Sequence, residues 1–239
     1  MELNICHLYP ELLNMYGDIG NILILKSRAA ARGIDVKVIN YSVGDTFDSE
    51  NTDIVMFGGG QDFEMSVVEQ DIKDRIIGDM RMYIETGGVL LAICGGYQML
   101  GKYYVTPEGE KLEGLGILNH YTEGGDTRLI GNIATDIDGY TAIGFENHAG
   151  RTYIGDMQPL GKVIKGFGNN GEDGGEGLRY KNTYCTYLHG PFLSKNPKIA
   201  DEMISAALKR KYGDISSLTP LDDEFESSAR RVMQKRMEV

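Results

Sequence analysis

The chain contains few of the residues that would point to particular classes of protein. Its 239 residues include no tryptophan, only six prolines and only three cysteines. Cys6, Cys94 and Cys185 are odd in number and widely spaced, which argues against a disulfide framework and against a CxxC metal site. The 24 basic residues are outnumbered by 35 acidic ones, for a formal charge of −11, and no basic patch stands out. We therefore expect neither nucleic acid nor an anionic membrane surface as a partner.

Long apolar runs and nucleotide-binding motifs are also missing from the sequence. No run approaches the roughly 18 residues of a membrane span, and the first ten residues lack the basic start and apolar stretch of a signal sequence. Segment 166–177 contains a formal GxGxxG match, but no helix pattern follows it and its acidic residues would repel a pyrophosphate. No GxxxxGKS/T motif occurs. We expect a soluble, cytoplasmic protein without a cofactor, a metal or an ATP site, and a mobile hairpin loop at 166–177.

The first hundred residues alternate between strand and helix patterns. The expected elements, in chain order, are a strand at 3–8, a helix at 19–32, strands at 34–41 and 54–57, a helix at 63–85, and a strand at 89–93. Short apolar runs separated by long helical segments are typical of a parallel sheet. This pattern predicts an α/β fold with a doubly wound, mostly parallel sheet flanked by helices, and function at the carboxyl ends of its strands.

Shorter β patterns fill the second half of the chain. Antiparallel strands added to the fold are predicted at 129–136, 142–145, 161–165 and 182–188, and two helices at 197–211 and 223–237. The hydrophobic content of 41% is sufficient for a sizeable core. We expect one domain over residues 1–239, since no interdomain linker or internal repeat is evident.

The stretch VLLAICGGYQMLG, residues 89–101, places a reactive side chain at a sharp turn. Its apolar run predicts a buried strand, Cys94 lies at the carboxyl end of that strand, and Gly95 and Gly96 allow a tight turn into a helix. This is the pattern of a nucleophile elbow. A helix amino terminus and its N–H groups favour a thiolate, so Cys94 is the candidate nucleophile. Cys6 and Cys185 lie in strand-like runs and are expected in the core.

A cysteine nucleophile needs a base, and four histidines are candidates. His189 follows the apolar run YCTYL and precedes a Gly-Pro turn, a position from which it can reach a neighbouring strand end. His148 is the competing candidate, but polar neighbours, among them Glu146, give it structural partners. We expect His120 to be structural and His7 to be a core residue.

Several strings resemble a known family. CGGYQMLG, the glycine-rich turn FGGGQDFE and the late YLHGPFL together resemble the class I glutamine amidotransferase domain, in its cobyric acid synthase-like branch. Within that branch, YPELLNMYGDIGN, GFENHAGRT and YLHGPFLSKNP resemble glutaminase subunits of Gram-positive cell-wall synthesis. The resemblance covers essentially the whole chain.

The resemblance implies roles for individual residues. Cys94 matches the family's nucleophile and His189 its histidine base. Many class I members carry a glutamate two residues after this histidine, but here that position is Pro191. We therefore predict a Cys94/His189 dyad, and leave open whether Glu146 or another acid orients the histidine.

The resemblance also implies a substrate site. The family's oxyanion hole matches backbone N–H groups of Gly95 and of the turn formed by Gly58, Gly59 and Gly60. Arg128, in EGGDTRLIG, matches the position that holds the glutamine substrate, where a guanidinium could bind the α-carboxylate through two hydrogen bonds.

The implied activity is hydrolysis of L-glutamine to glutamate and ammonia through a Cys94 thioester. The ammonia would pass to a Mur-ligase-like, ATP-dependent synthetase, which would amidate the D-glutamate of the lipid II stem peptide to D-isoglutamine. Three alternatives remain open: a cobyric acid-type amidotransferase, a γ-glutamyl cysteine peptidase on the same fold, and a non-enzymatic glutamine-sensing subunit.

Overall fold

The computed structural model describes residues 1–213 and 217–239, which form two β-sheets with flanking helices. The strands are β1 (Glu2–Leu8), β2 (Asp35–Tyr41), β3 (Ile54–Phe57), β4 (Val89–Ile93), β5 (Tyr103–Val105), β6 (Lys111–Glu113), β7 (Tyr121–Ile137), β8 (Tyr140–Tyr153), β9 (Gly161–Lys165), β10 (Gly175–Glu176), β11 (Leu178–Tyr180) and β12 (Thr183–Thr186). The helices are α1 (Ile19–Ala30), α2 (Asp62–Arg75), α3 (Ile77–Glu85), α4 (Gly95–Leu100), α5 (Phe192–Lys195), α6 (Pro197–Tyr212) and α7 (Glu224–Met237).

The main sheet has the strand order β11-β12-β4-β3-β1-β2. Its five strands from β12 to β2 are parallel, and only β11 at the edge runs antiparallel to its neighbour. Every residue of β3 and β4 is buried, as expected of central strands covered on both faces. The predicted α/β fold is confirmed, and the carboxyl ends of β1, β3, β4 and β12 meet at one edge of this sheet.

Segment 182–188 was expected to be an antiparallel addition, and that prediction is wrong. Its central part forms β12, which pairs in parallel with β4, so that Thr186 lies opposite Ile93. All four residues of β12 are buried, a pattern that suits a central parallel strand better than an antiparallel one with a solvated face. This pairing brings the residues after β12 next to those after β4.

The helix predicted at 63–85 is divided in two. The helical geometry breaks at Ile76, whose φ of −121° separates α2 from α3. Ile76 itself is completely buried, so the residue at the break packs in the apolar core.

The second sheet is built around the long antiparallel hairpin of β7 and β8. Strand β5 pairs in parallel with β7, and the other pairings in this sheet are antiparallel. Side chains of both sheets contribute to one apolar core. An isolated bridge between Phe145 of β8 and His189 joins the hairpin directly to the end of the main sheet.

Segment 166–177, expected to be a mobile hairpin loop, is held to the second sheet. Asn169 is completely buried, and its side-chain amide bonds both the N–H and the carbonyl of Gly177. The backbone N–H of Thr152 donates to the carbonyl of Asn169. Across the described ranges, no helix is long and apolar enough to cross a membrane.

Candidate active site

Cys94 occupies a strained turn between β4 and α4. Its backbone has φ 50° and ψ −105°, in the region that non-glycine residues rarely adopt. Two hydrogen bonds hold the turn: the Cys94 N–H donates to the Thr186 carbonyl at 3.0 Å, and the Gln98 N–H donates to the Cys94 carbonyl at 2.9 Å. Strain of this kind persists where the surroundings fix it, and here it raises the thiol above the strand end.

The two glycines after Cys94 allow α4 to approach the glycine turn that follows β3. A Cβ on Gly96 would lie 2.5 Å from the Phe57 carbonyl oxygen, and one on Gly95 would lie 2.9 Å from the Met65 sulfur. The Gly96 N–H also donates to the carbonyl of Gly58 at 3.1 Å. A larger residue at either position would therefore push α4 and Cys94 away from this turn.

The three glycines of the turn differ in what their backbone can offer to a substrate. The Gly59 N–H, which was expected as an oxyanion donor, donates to Asp18 Oδ2 at 2.8 Å and is therefore already occupied in this structure. Gly58 holds α4 through its carbonyl. Gly60 lines the same cavity as Cys94, and its nitrogen lies 3.1 Å from the position that a Gly95 Cβ would occupy.

His189 lies beside Cys94 at the end of the segment that follows β12. Its N–H donates to the Phe145 carbonyl at 2.8 Å, which fixes its backbone to β8. The side chain is almost completely buried, and its Nδ1 lies 3.9 Å from Asp18 Oδ1. The ring of Tyr16 covers it, with centroids 4.7 Å apart.

The surroundings of His189 favour the protonated ring. Burial by itself lowers the pKa of His189, but interaction with Asp18 and with Cys94 outweighs burial and raises that pKa to about 9. The ring therefore carries a proton at neutral pH.

Asp18 is the site residue that sequence reasoning missed. It precedes α1, is completely buried, and faces Gly59 with one carboxylate oxygen and His189 with the other. Pro191, which replaces the acid expected after the histidine, packs against Gly20 at the start of α1, where a Cβ would lie 2.2 Å from the proline ring. The available signal was an acid shortly after the first strand, at the same sheet edge as Cys94.

Glu146, which was left open as the acid for His189, has other partners. Its two carboxylate oxygens accept the N–H groups of Phe167 and Gly168, at 2.8 and 3.0 Å. The nearest histidine to it is His148, at 3.9 Å from Nε2 to Oε2. Glu146 therefore anchors the glycine-rich segment.

A further buried carboxyl group, Glu176, bonds to the main sheet. Its Oε1 accepts hydrogen bonds from the Thr186 hydroxyl and the Tyr187 N–H. Burial raises the pKa of Glu176 to about 8, so it is mostly protonated at neutral pH. A neutral carboxyl group cannot support a histidine cation as Asp18 does.

His148 is packed as a neutral ring. Its Nδ1 donates to the Gly150 carbonyl at 2.7 Å, and the ring stacks on Tyr187 with a centroid separation of 3.7 Å. Burial lowers its pKa. These contacts agree with the structural role expected for His148, although the residue also lines the cavity.

A cavity of about 350 Å³ opens next to Cys94, within the usual size range of small-molecule sites. Arg128 lines it, held by Asn147: the arginine Nε donates to Asn147 Oδ1 at 2.8 Å and its Nη2 to the Asn147 carbonyl at 2.9 Å. Asn147 in turn donates to the Tyr16 hydroxyl at 2.5 Å. The arginine that faces the cavity is thus connected through Asn147 to the ring that covers His189.

The other two cysteines and possible metal sites offer no second reactive centre among the described residues. Cys6 and Cys185 are buried, and burial raises the pKa of both thiols, that of Cys6 to about 12. In the part of the chain that the structure describes, no group of three or more histidine, cysteine, aspartate or glutamate residues could hold a metal ion.

Comparison with known proteins adds independent findings. Residues 4–197 match the CobB/CobQ-like glutamine amidotransferase domain. The chain is 48% identical over 228 residues to a Streptococcus pneumoniae protein named lipid II isoglutaminyl synthase (glutamine-hydrolyzing) subunit GatD, covering 93% of this chain and 86% of that one. It is 47% identical over 238 residues to the Staphylococcus aureus protein of the same name, covering 98% and 96%. The solved structure of PurLQS from Thermotoga maritima has the same fold, with a TM-score of 0.57 at 14% identity over 88% of this chain and 97% of that one.

Proposed function

The chain belongs to the CobB/CobQ-like glutamine amidotransferase domain family, and from this premise we propose that it is the glutaminase subunit of a lipid II isoglutaminyl synthase, with Cys94 as nucleophile. The observation that supports this most directly is the meeting of three groups at one sheet edge: a thiol on a strained turn, a buried histidine cation, and a buried carboxylate behind it. Such a set suits the cleavage of an amide by covalent catalysis.

In the proposed reaction, the Cys94 thiolate attacks the δ-carbon of the glutamine side-chain amide. The tetrahedral intermediate loses its nitrogen as ammonia, with His189 as the proton donor, and a γ-glutamyl thioester remains on Cys94. The now neutral His189 takes a proton from water, the resulting hydroxide attacks the thioester, and the thiolate leaves. The balance is one glutamine and one water consumed for one glutamate and one ammonia.

We assign the oxyanion site to the N–H groups of Gly60 and Gly95. Gly95 directly follows the nucleophile, and Gly60 lines the cavity beside it, whereas the Gly59 N–H is occupied by Asp18. One such donor contributes roughly 2.7 to 4 kcal/mol to transition-state stabilisation.

Asp18 acts as the positioning acid in this scheme, so the dyad becomes a triad. The separation of 3.9 Å to His189 is longer than a hydrogen bond, and contacts of this kind often shorten once substrate is bound. The carboxylate fixes the orientation of the ring and stabilises its positive charge.

Arg128 is assigned to the α-carboxylate of glutamine. Asn147 occupies the arginine Nε and one hydrogen of Nη2, which leaves the outer edge of the guanidinium for a carboxylate. A guanidinium and a carboxylate in the cavity would form charge-assisted hydrogen bonds, which are stronger than neutral ones.

A partner protein would activate the carboxyl group that accepts the ammonia. The related proteins from S. pneumoniae and S. aureus are named as subunits, and the sequence of this chain contains no GxxxxGKS/T motif. The partner would be a Mur-ligase-like (MurT-type) synthetase that uses ATP to activate the α-carboxyl of D-glutamate in the stem peptide, giving D-isoglutamine. A step that uses ATP and a reduced cysteine suits the cytoplasm, where thiols are kept reduced, and we propose that location.

Substitution of Cys94 tests the assignment. We expect Cys94→Ala to abolish release of ammonia from L-glutamine, and His189→Ala to reduce it nearly as far, whereas His148→Ala should reduce it much less. Cys185→Ala is the matched control, since that thiol is buried and does not line the cavity.

A glutamine-derived electrophile should label Cys94, as measured by peptide mass spectrometry. Labelling at Cys185 would overturn the site, and preference for a γ-glutamyl peptide over free glutamine would favour the peptidase alternative.

A further inference from the structure

The cavity beside Cys94 carries charged side chains of both signs. Arg128 supplies the positive charge, and Asp62 and Glu108 supply negative charges. We propose that Asp62 binds the α-ammonium group of the glutamine substrate, and thereby restricts the site to zwitterionic α-amino acids. The proposal rests on the glutaminase function and adds Asp62 to Arg128 as a second residue that binds and recognises the substrate.

The position of Asp62 supports this role. Asp62 is the first residue of α2, directly follows Gln61 after the glycine turn, and lines the cavity together with Gly60 and Cys94. It is only partly exposed, and the hydroxyl of Tyr104 interacts with it. Tyr104 is buried on β5 and lines the same cavity beside Asp62.

The two charged groups of the substrate lie close together, and the cavity has a charged side chain of the opposite sign for each of them. The α-carboxylate and the α-ammonium of an amino acid are attached to the same carbon, so their two protein partners must stand at the same end of the site. Asp62 and Arg128 are close enough for their charges to interact. Burial raises the pKa of Asp62, Tyr104 and Arg128 act to lower it, and the neighbouring Glu108 and Glu110 raise it further.

An ammonium group would complete this arrangement. Asp62 is partly desolvated and faces two other acids, so an added positive charge compensates an unfavourable negative potential. Burying a charged group is costly unless it is paired, and the substrate supplies the pair. A substrate without the amino group would leave Asp62 unpaired in the filled cavity, which is how a buried polar group produces specificity.

Glu108 is the competing acid. It lies in the turn between β5 and β6 and is exposed to solvent. A solvated carboxylate attracts a cation weakly and is screened by salt. Glu108→Gln is therefore the matched control, because it removes one negative charge from the same cavity and leaves Asp62 in place.

The experiment compares L-glutamine with glutaramate, which has the same amide and carboxylate but no amino group. Binding is measured by calorimetry on a Cys94→Ala background, so that the result does not depend on turnover, and kcat/KM is measured with Cys94 present. We expect Asp62→Asn to weaken L-glutamine binding and lower its kcat/KM by about 10- to 100-fold, as for loss of a charged hydrogen bond, with glutaramate changed less than about twofold. Glu108→Gln should change neither substrate more than about threefold.

The outcomes separate this proposal from the function on which it rests. Equal losses for both substrates, or no loss for L-glutamine, would overturn the role of Asp62. A larger selective effect of Glu108→Gln would move the role to that residue. If L-glutamine binds with the expected selectivity but is not hydrolysed, the glutaminase function fails and the ammonium site stands. Tyr104→Phe provides a second variant, in which we expect a smaller loss in the same direction.

Discussion

At the scale of single residues, His189 connects the electrostatics of the site to pH. Its pKa of about 9 exceeds the ordinary histidine value of 6.5, because Asp18 and Cys94 outweigh the effect of burial. The folded protein therefore holds a proton that the unfolded chain releases at lower pH. The contribution of this group to stability is complete below about pH 6.5 and is lost as the pH rises through about 9.

In the proposed reaction the same proton serves the departure of ammonia, so activity should share this alkaline limit. We expect kcat/KM for L-glutamine to fall above about pH 9, where His189 loses its proton. Asp18→Asn should move this fall to lower pH, since the carboxylate favours the charged ring, and should reduce kcat/KM about 10- to 100-fold at pH 8. The pH dependence of ammonia release measures both effects.

A matched substitution tests whether the acid is Asp18. Glu146→Gln replaces another completely buried carboxylate near the site, but one that bonds Phe167 and Gly168. It should leave the alkaline limit in place. If Glu146→Gln moved that limit and Asp18→Asn did not, Glu146 would be the positioning acid.

The sequence was sufficient to propose Cys94 and His189 but not Asp18. A thiol between an apolar run and two glycines has a local signature, and so has a histidine at a strand end before a glycine. The proximity of Asp18 to His189 depends on the packing of α1 beside the turn at Pro191, far away in the chain. No local pattern encodes that distance. Glu146 is therefore the easier acid to name from a local pattern, although its carboxylate bonds Phe167 and Gly168 in the structure.

At the scale of elements, a buried arginine holds the last helix in place. Arg28 of α1 bonds Asp201 of α6 at 2.7 Å and Asp223, just before α7, at 2.6 Å. The far end of α7 is anchored by Met237, which packs against Ala134 and Ile143 of the β7–β8 hairpin. Helix α7 thus joins α1 and α6 to the second sheet.

Arg28→Ala should destabilise the protein, because it leaves Asp223 without its buried partner and Asp201 with Arg32 alone. We expect a loss of roughly 2 kcal/mol, below the 3 to 5 kcal/mol of a fully buried pair because both aspartates are partly exposed, and a Tm lower by about 4 to 8 °C. Thermal unfolding followed by circular dichroism measures this. Arg231→Ala breaks an exposed pair with Glu224 and should change Tm little. Similar small changes in both variants would mean that Arg28 does not hold α7.

Element positions were easier to predict than their pairing partners. The first strand, α1, β9 and the last helix lie close to where their apolar periodicity placed them. A strand within 182–188 was predicted correctly, but its pairing direction was not. A four-residue apolar run does not indicate whether the neighbouring strand is parallel or antiparallel. The break at Ile76 has only a weak local signal, because Gly78 two residues later weakens a helix without fixing where it breaks.

At the scale of the whole molecule, the two sheets act as one unit. Their side chains share an apolar core, the Phe145–His189 bridge joins them at the site, and the cavity is lined from both. We infer that residues 1–239 form a single amidotransferase-like domain. Cys94, the proposed nucleophile, directly follows β4 of the main sheet and Arg128 lies on β7 of the second, so the proposed substrate site exists only when both sheets are assembled.

The product of the proposed reaction determines what else the molecule needs. Ammonia in water at neutral pH is mostly protonated and is then no nucleophile, so it is useful only where an activated carboxyl group lies close to its source. Relatives nearly half identical over almost the whole chain are named as subunits. We therefore expect a stable complex with an ATP-dependent ligase, and co-purification from the native host should identify that partner.

Isotope transfer tests the division of labour. With L-glutamine labelled by ¹⁵N in its amide, this chain and the ligase together should place ¹⁵N on the stem peptide in the presence of ATP, as measured by mass spectrometry. Cys94→Ala in the complex should abolish transfer from glutamine but allow amidation by a high concentration of ammonium at alkaline pH, because the ligase site stays intact. Unlabelled ammonium added at neutral pH should dilute the label little if the product passes directly between sites. Amidation of the peptide by this chain alone with ATP would contradict the scheme, because the acceptor would then be activated without a partner.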